Sequence, residues 1–156
     1  MNRVEHTLEP VYNSDSDTLI LGSMPSIKSR KIGKYYGHKS NRFWSLMEVI
    51  YDEKIDDWKS FILNHNLALW DVIESCDIQS SSDTSIKNVV VNDIKSIIDS
   101  TKIDRIFLLG RIAFDLYYKY VYPNTKIEGI YLPSSSSANA SFSFEELVKE
   151  YSKIKK

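Results

Sequence analysis

The chain has 156 residues, 42% of them hydrophobic, with 20 Lys/Arg against 21 Asp/Glu and a net charge of −1. That is enough apolar material for one core and a single domain over 1–156, and the charge is too balanced to draw the whole protein onto nucleic acid. A single cysteine, Cys76, excludes an internal disulfide and a cysteine-based metal cluster. No window reaches the roughly eighteen apolar residues of a membrane span. The polar start lacks an apolar signal core, so the cytoplasm is the expected location.

Residues 1–17 read as an N-terminal arm, with Pro10 and the run NSDSD marking a loop. Thr18–Gly22 is a continuous apolar run, the pattern of a strand covered on both faces. The turn after it holds Gly22, Ser23, Met24 and Pro25. Its backbone N–H groups can hold an anion, or it can be only a turn. A basic loop follows, in which Lys28, Arg30, Lys31, Lys34, Lys39 and Arg42 occur without any acid and flank Tyr35 and Tyr36.

Helical spacing of Phe43, Trp44, Met47 and Ile50 predicts a helix over 41–51, with Asn41 or Ser40 as its N-cap. A second helix starts at Asp56 or Asp57, runs through Trp58, Phe61 and Ile62, and ends near 64–66. A buried strand is predicted at 67–73, a surface connection at 79–85, and a helix through Ile94, Ile97 and Ile98 capped by Asn92 or Asp93. The third strand is 104–110, and an aromatic helix over 113–121 is stopped by Pro123. The fourth strand is 126–132, the small polar loop PSSSSANA is 133–140, and a helix with a basic end is 142–154.

Strands alternating with helices imply βαβ units and a mostly parallel sheet with helices on both faces. Ligands of such sheets sit outside the carboxyl ends of the strands. The basic loop and PSSSSANA then share one rim.

Each residue of that rim has a functional and a bland reading. The basic cluster suits phosphate, or is a solvated face. Either tyrosine can stack on a base, or both cover the core. Asn41 can cap its helix, or its amide can orient a water or a base edge. His38 can touch a ligand, or only support the loop. Ser134, Ser135, Ser136, Ser137 and Asn139 can bond phosphates and enter a groove, or be filler. The nucleotide loops GxxxxGK[ST] and GxGxxG are absent, as is the hydrolase elbow GxSxG. Three scattered His give no metal-ligand spacing.

The segments LILGSMPS (19–26), SRKIGKYYGHKSNRFW (29–44), ALWDV (68–72), FLLG (107–110) and LPSSSSANA (132–140) resemble the uracil-DNA glycosylase superfamily. Within it they look most like the hypoxanthine-DNA (deoxyinosine) glycosylases, a branch related to the mismatch-specific uracil glycosylases. The resemblance implies a three-layer α/β/α fold with a central four-stranded parallel sheet. It also implies hydrolysis of the N-glycosidic bond of a flipped base, without a metal or cofactor. Tyr36 matches the aromatic residue that stacks on the extruded base, and LPSSSSANA the motif that enters the minor groove.

Two positions depart from the pattern. Met24 stands where many relatives carry an Asn or Asp that positions the attacking water, and Ser137 where close relatives often have proline. In the hypoxanthine branch a catalytic role belongs to the Asn of the NRFW segment, here Asn41. It would orient water or the leaving base, with the transition state stabilised electrostatically. No lysine matches a Schiff-base position.

The expectation is a monomeric, monofunctional DNA glycosylase acting on hypoxanthine in double-stranded, or also single-stranded, DNA. Gly22, Ser23, Met24, Pro25, Tyr36 and His38 form its base pocket. Lys28, Arg30, Lys31, Lys34, Arg42, the four serines and Asn139 meet DNA. The alternatives are a mismatch-specific uracil glycosylase, a glycosylase-fold protein that binds DNA without excision, and an unrelated small-molecule hydrolase.

Overall fold

The computed structural model describes residues 2–78 and 86–156, so the connection expected at 79–85 lies outside it. In chain order the elements are β1 (Asn2–Glu5), β2 (Thr18–Gly22), α1 (Ile27–Ile32), α2 (Phe43–Tyr51), α3 (Trp58–Asn64), β3 (Leu67–Asp71), β4 (Ile73–Ile78) and β5 (Ile86–Val91). They continue as α4 (Ile94–Asp99), β6 (Arg105–Leu109), α5 (Arg111–Leu116), α6 (Tyr122–Thr125), β7 (Gly129–Leu132) and α7 (Phe144–Tyr151).

The apolar runs pair as a parallel sheet in the order β3-β2-β6-β7. Side chains alternate across a strand, so β2 feeds two cores. Ile20 joins Leu69 and Phe107 beneath Phe43, Met47, Phe61 and Leu147 of α2, α3 and α7. Leu19 and Leu21 join Ala68 and Leu108 beneath Ile94, Ile97 and Ala113 of α4 and α5. All five residues of β2 are buried, as befits the centre of a three-layer α/β/α fold. Helix starts are set locally. Asp57 and Asp93 accept from the backbone N–H groups of Ser60 and Ser96, and Ser143 forms a capping box with Glu146.

Four features differ from the sequence expectation. The arm is not only an arm: β1 pairs antiparallel with β4, which pairs with β5, in a second sheet of order β1-β4-β5. The strand expected over 67–73 breaks at Val72, whose N–H bonds Gly22 O, and continues as β4. The basic loop contains a helix, α1, capped by Ser26 and closed by Gly33 at φ 72°. Pro123 does not stop the helix it follows. A π-helical turn over Tyr117–Val121 offsets the hydrogen bonding and leaves Pro123 in the first turn of α6, where its missing N–H costs nothing.

Candidate active site

All four strands of the parallel sheet deliver residues to one cleft at their carboxyl ends. Gly22 ends β2, Asp71 ends β3, Leu109 ends β6, and Ser134 lies just beyond β7. The cleft has a volume of about 1080 Å³, ample for a planar base with its sugar. The second sheet forms part of its wall through Asn2, Val4, Ile78 and Ile86. A smaller hollow of about 370 Å³, between Thr18, Leu67 and Arg105 at the amino ends of the strands, holds none of the residues singled out above.

The two rim loops are joined by hydrogen bonds. Asn41 Oδ1 accepts from the Phe43 N–H at 2.9 Å, opening α2, and from Ser135 Oγ at 2.9 Å across the cleft. Its acceptor is therefore occupied, while its Nδ2 hydrogens meet no acceptor among the described residues. Arg42 donates to the carbonyls of Ser135, Ser136, Asn139 and Phe142 at 2.7–3.3 Å, bracing the whole serine loop. Ser40 Oγ links His38 Nδ1, at 2.7 Å, to Ser137 Oγ, at 3.0 Å. The internal bond from Asn139 Nδ2 to Ser134 O, at 3.0 Å, curls that loop back on itself.

The adjacent tyrosines have different fates. Tyr35 is 2% exposed, and its hydroxyl donates to the carbonyl of Glu9 at 3.0 Å, pinning the N-terminal segment to the core. Tyr36 sits at φ 54°, a left-handed conformation that is costly for a bulky side chain and is held only where the surroundings enforce it. There its ring stacks on Phe43, with centroids 4.2 Å apart and planes 22° from parallel, and it lines the cleft. Its hydroxyl is buried without a hydrogen-bond partner among the described residues. Burial, aided by the charge of Asp71, pushes its pKa well above the ordinary tyrosine value, so it stays protonated.

Asp71 is the one acid among the described cleft residues. It is 2% exposed, and its Oδ2 lies 2.8 Å from His6 Nε2. Desolvation raises its proton affinity. The hydrogen bond and charge of His6, with the Gly22 N–H, pull the other way without cancelling it. Gly22 makes room for this carboxyl: a Cβ there would lie 2.6 Å from Asp71 Oδ1 and 3.1 Å from the Tyr36 hydroxyl.

Of the residues expected at the site, Gly22, Ser23, Met24, Pro25, Lys28, Arg30, Lys31, Tyr36, His38, Asn41, Ser134, Ser135 and Ser136 line the cleft. Lys34 lies instead over the Trp44 ring, 5.2 Å from its centroid, and Arg42 has the internal bracing task already described. Ser137 bonds the facing rim at Ser40, and Asn139 bonds within its own loop. The sequence reading missed Asp71 and His6. The readable signal for Asp71 was a lone carboxylate at the end of an apolar strand run. His6 had none, because its partner is 65 residues away.

Comparison with known proteins places the chain in a family. The family model for the uracil DNA glycosylase superfamily matches residues 9–154. A hypoxanthine DNA glycosylase of Methanosarcina acetivorans is 34% identical over 139 residues, covering 85% of this chain and 87% of that one. One from Methanosarcina barkeri is 30% identical over 95 residues, covering 58% and 60%. The solution NMR structure of a Methanosarcina acetivorans protein, provisionally named a uracil DNA glycosylase, superposes with a TM-score of 0.78. It is 28% identical and covers 96% of this chain and 98% of its own. With its sheet order, its carboxyl-end cleft and a family match over nearly its whole length, the chain belongs to the uracil DNA glycosylase superfamily.

Proposed function

We propose that this protein excises hypoxanthine from DNA by hydrolysing the N-glycosidic bond. The observation that carries the reading is the donor–acceptor pair in the cleft, the Nδ2 of Asn41 and the carboxyl of Asp71. Deamination of adenine replaces a ring-nitrogen acceptor and an amino donor with a ring N–H and a carbonyl. A carboxyl oxygen of Asp71 can accept from that new N–H, a donor that unmodified adenine lacks at this ring position. Curated relatives named hypoxanthine DNA glycosylase support the same substrate.

In the proposed reaction the flipped base rests against Tyr36, which Phe43 backs from the other side. The bond from the base nitrogen to C1′ breaks with its electron pair going to the base, and water oxygen bonds to C1′. One water proton ends on the base. Asn41, whose acceptor is occupied by Phe43 and Ser135, acts as a donor to the departing base as negative charge builds on it. Met24 lines the cleft but can neither accept from nor polarise a water, so little nucleophilic assistance comes from the first turn. The transition state is then dissociative. Lys28, Arg30 and Lys31 hold phosphates, and no lysine forms a Schiff base, so the strand is left uncut.

Met24 also favours a second reading, a protein of the same fold that binds damaged DNA without excision. Duplexes carrying one hypoxanthine, uracil, xanthine or ethenocytosine separate the readings, with hypoxanthine expected to be released fastest. Uracil release without hypoxanthine release identifies a uracil glycosylase, and binding without release of any base identifies the second reading. Asn41→Ala is expected to lower excision roughly 10²–10³-fold, as loss of one preorganised donor does, while DNA affinity changes little.

A further inference from the structure

Helix α1 presents a large apolar side chain amid charge. Ile27 is 60% exposed, the highest value among the large exposed hydrophobic side chains of the described residues, and it lines the cleft. Lys28, Arg30 and Lys31 surround it in the same helix, and none of the three forms an ion pair among the described residues. Arg30 Nε is buried without a hydrogen-bond partner among the described residues. Three unpaired cations around one exposed aliphatic side chain match a duplex, whose phosphates are anionic and whose stacked base steps accept apolar wedges.

The opposite rim offers nothing of that kind. The loop after β7 turns only Ser134, Ser135, Ser136 and Ala138 toward the cleft, and these are too small to fill the gap a flipped base leaves. Helix α1 is also tied to the segment that carries the Tyr36 ring. Ser29 of α1 is buried, and its Oγ accepts from the Gly37 N–H at 2.9 Å, directly after Tyr36. The helix that carries Ile27 and the turn that carries Tyr36 are thus hydrogen-bonded to each other.

We infer that Ile27 is the wedge of this protein: it enters the duplex from α1 and fills the space vacated by the flipped nucleotide, while its cationic neighbours grip the flanking phosphates. The inference rests on the glycosylase reading and assigns the holding of the flipped state to α1 rather than to the serine loop.

The test compares single-turnover excision from a hypoxanthine duplex with excision from the same sequence as a single strand, where there is no paired stack to open. Ile27→Ser is expected to lower the duplex-to-single-strand rate ratio by about tenfold or more, and Ile27→Leu to restore it to within about threefold of the wild type. Ile32→Ser is the control, because Ile32 is 50% exposed on the same helix but outside the cleft lining. An unchanged ratio for Ile27→Ser, or an equal fall for Ile32→Ser, overturns the inference. A duplex with 2-aminopurine beside the lesion gives a readout independent of chemistry. Fluorescence should rise with the wild type and not with Ile27→Ser. A wild-type rise without excision keeps the wedge and rejects the glycosylase reading, and an equal rise with both proteins rejects the wedge.

Discussion

Asp71 and Gly22 form a matched pair of positions at the ends of neighbouring strands, in register across the sheet. A carboxyl that is 2% exposed and more reluctant than usual to ionise destabilises the fold at neutral pH relative to the unfolded chain. Its folded proton affinity is raised, so its contribution to stability is fully present below the ordinary aspartate range. That contribution is lost as pH rises through the folded value. Denaturant midpoints of the wild type should therefore fall relative to those of Asp71→Asn as pH rises above the ordinary aspartate range. The variant keeps an acceptor for His6, so it should be as stable as the wild type, or more so, at neutral pH while its hypoxanthine excision drops. A wild type that gains on the variant as pH rises contradicts the assignment. Gly22→Ala is the steric counterpart. A methyl at 2.6 Å from Asp71 Oδ1 must displace a buried carboxyl, and excision kinetics should show a loss on the order of that of Asp71→Asn, with a stability cost of about 1–3 kcal/mol.

At the scale of elements, the cleft depends on how firmly two loops are joined. The four carbonyls that Arg42 satisfies belong to the loop after β7, so that loop has little freedom once α2 is in place. Arg42→Ala should cost on the order of 2–4 kcal/mol in chemical unfolding and loosen the partner of Asn41. Arg42→Lys should recover little, since one ammonium cannot reach four acceptors of this geometry. If Arg42 instead served mainly as a phosphate contact, Ala would weaken DNA binding and flatten its salt dependence with hardly any change in the unfolding midpoint.

The same scale shows why some elements were legible in sequence and others were not. The parallel strands stood out because burial on both faces forces unbroken apolar runs, as in Leu19, Ile20 and Leu21. The antiparallel strands β1, β4 and β5 are partly exposed, and β1 pairs with β4 across roughly seventy residues, so Glu5, Glu74 and Lys87 read locally as polar chain. Helix α1 was hidden by its cations, although Ser26 and Gly33 were readable as its cap and stop. Its apolar residues Ile27 and Ile32 face outward, so no core-facing stripe announced it.

Across the whole molecule, the fold gathers at one end of a parallel sheet residues that lie far apart in sequence: His6, Gly22, Tyr36, Asn41, Asp71 and Ser135. The rim loops were legible because each follows an apolar strand. The floor was not, because its chemistry comes from a pairing between the N-terminal segment and the end of β3 that no local pattern records. At Asn41 the structure adds that the acceptor side of the amide is already engaged by Phe43 and Ser135. On this account the protein releases hypoxanthine from DNA using residues of its own chain alone. Incubation of the protein, in the presence of a chelator, with a duplex bearing one hypoxanthine should yield free hypoxanthine by chromatography, with the strand cut only after alkali. Hypoxanthine left in the strand, while uracil is released from the matching duplex or while no base is released, would contradict it.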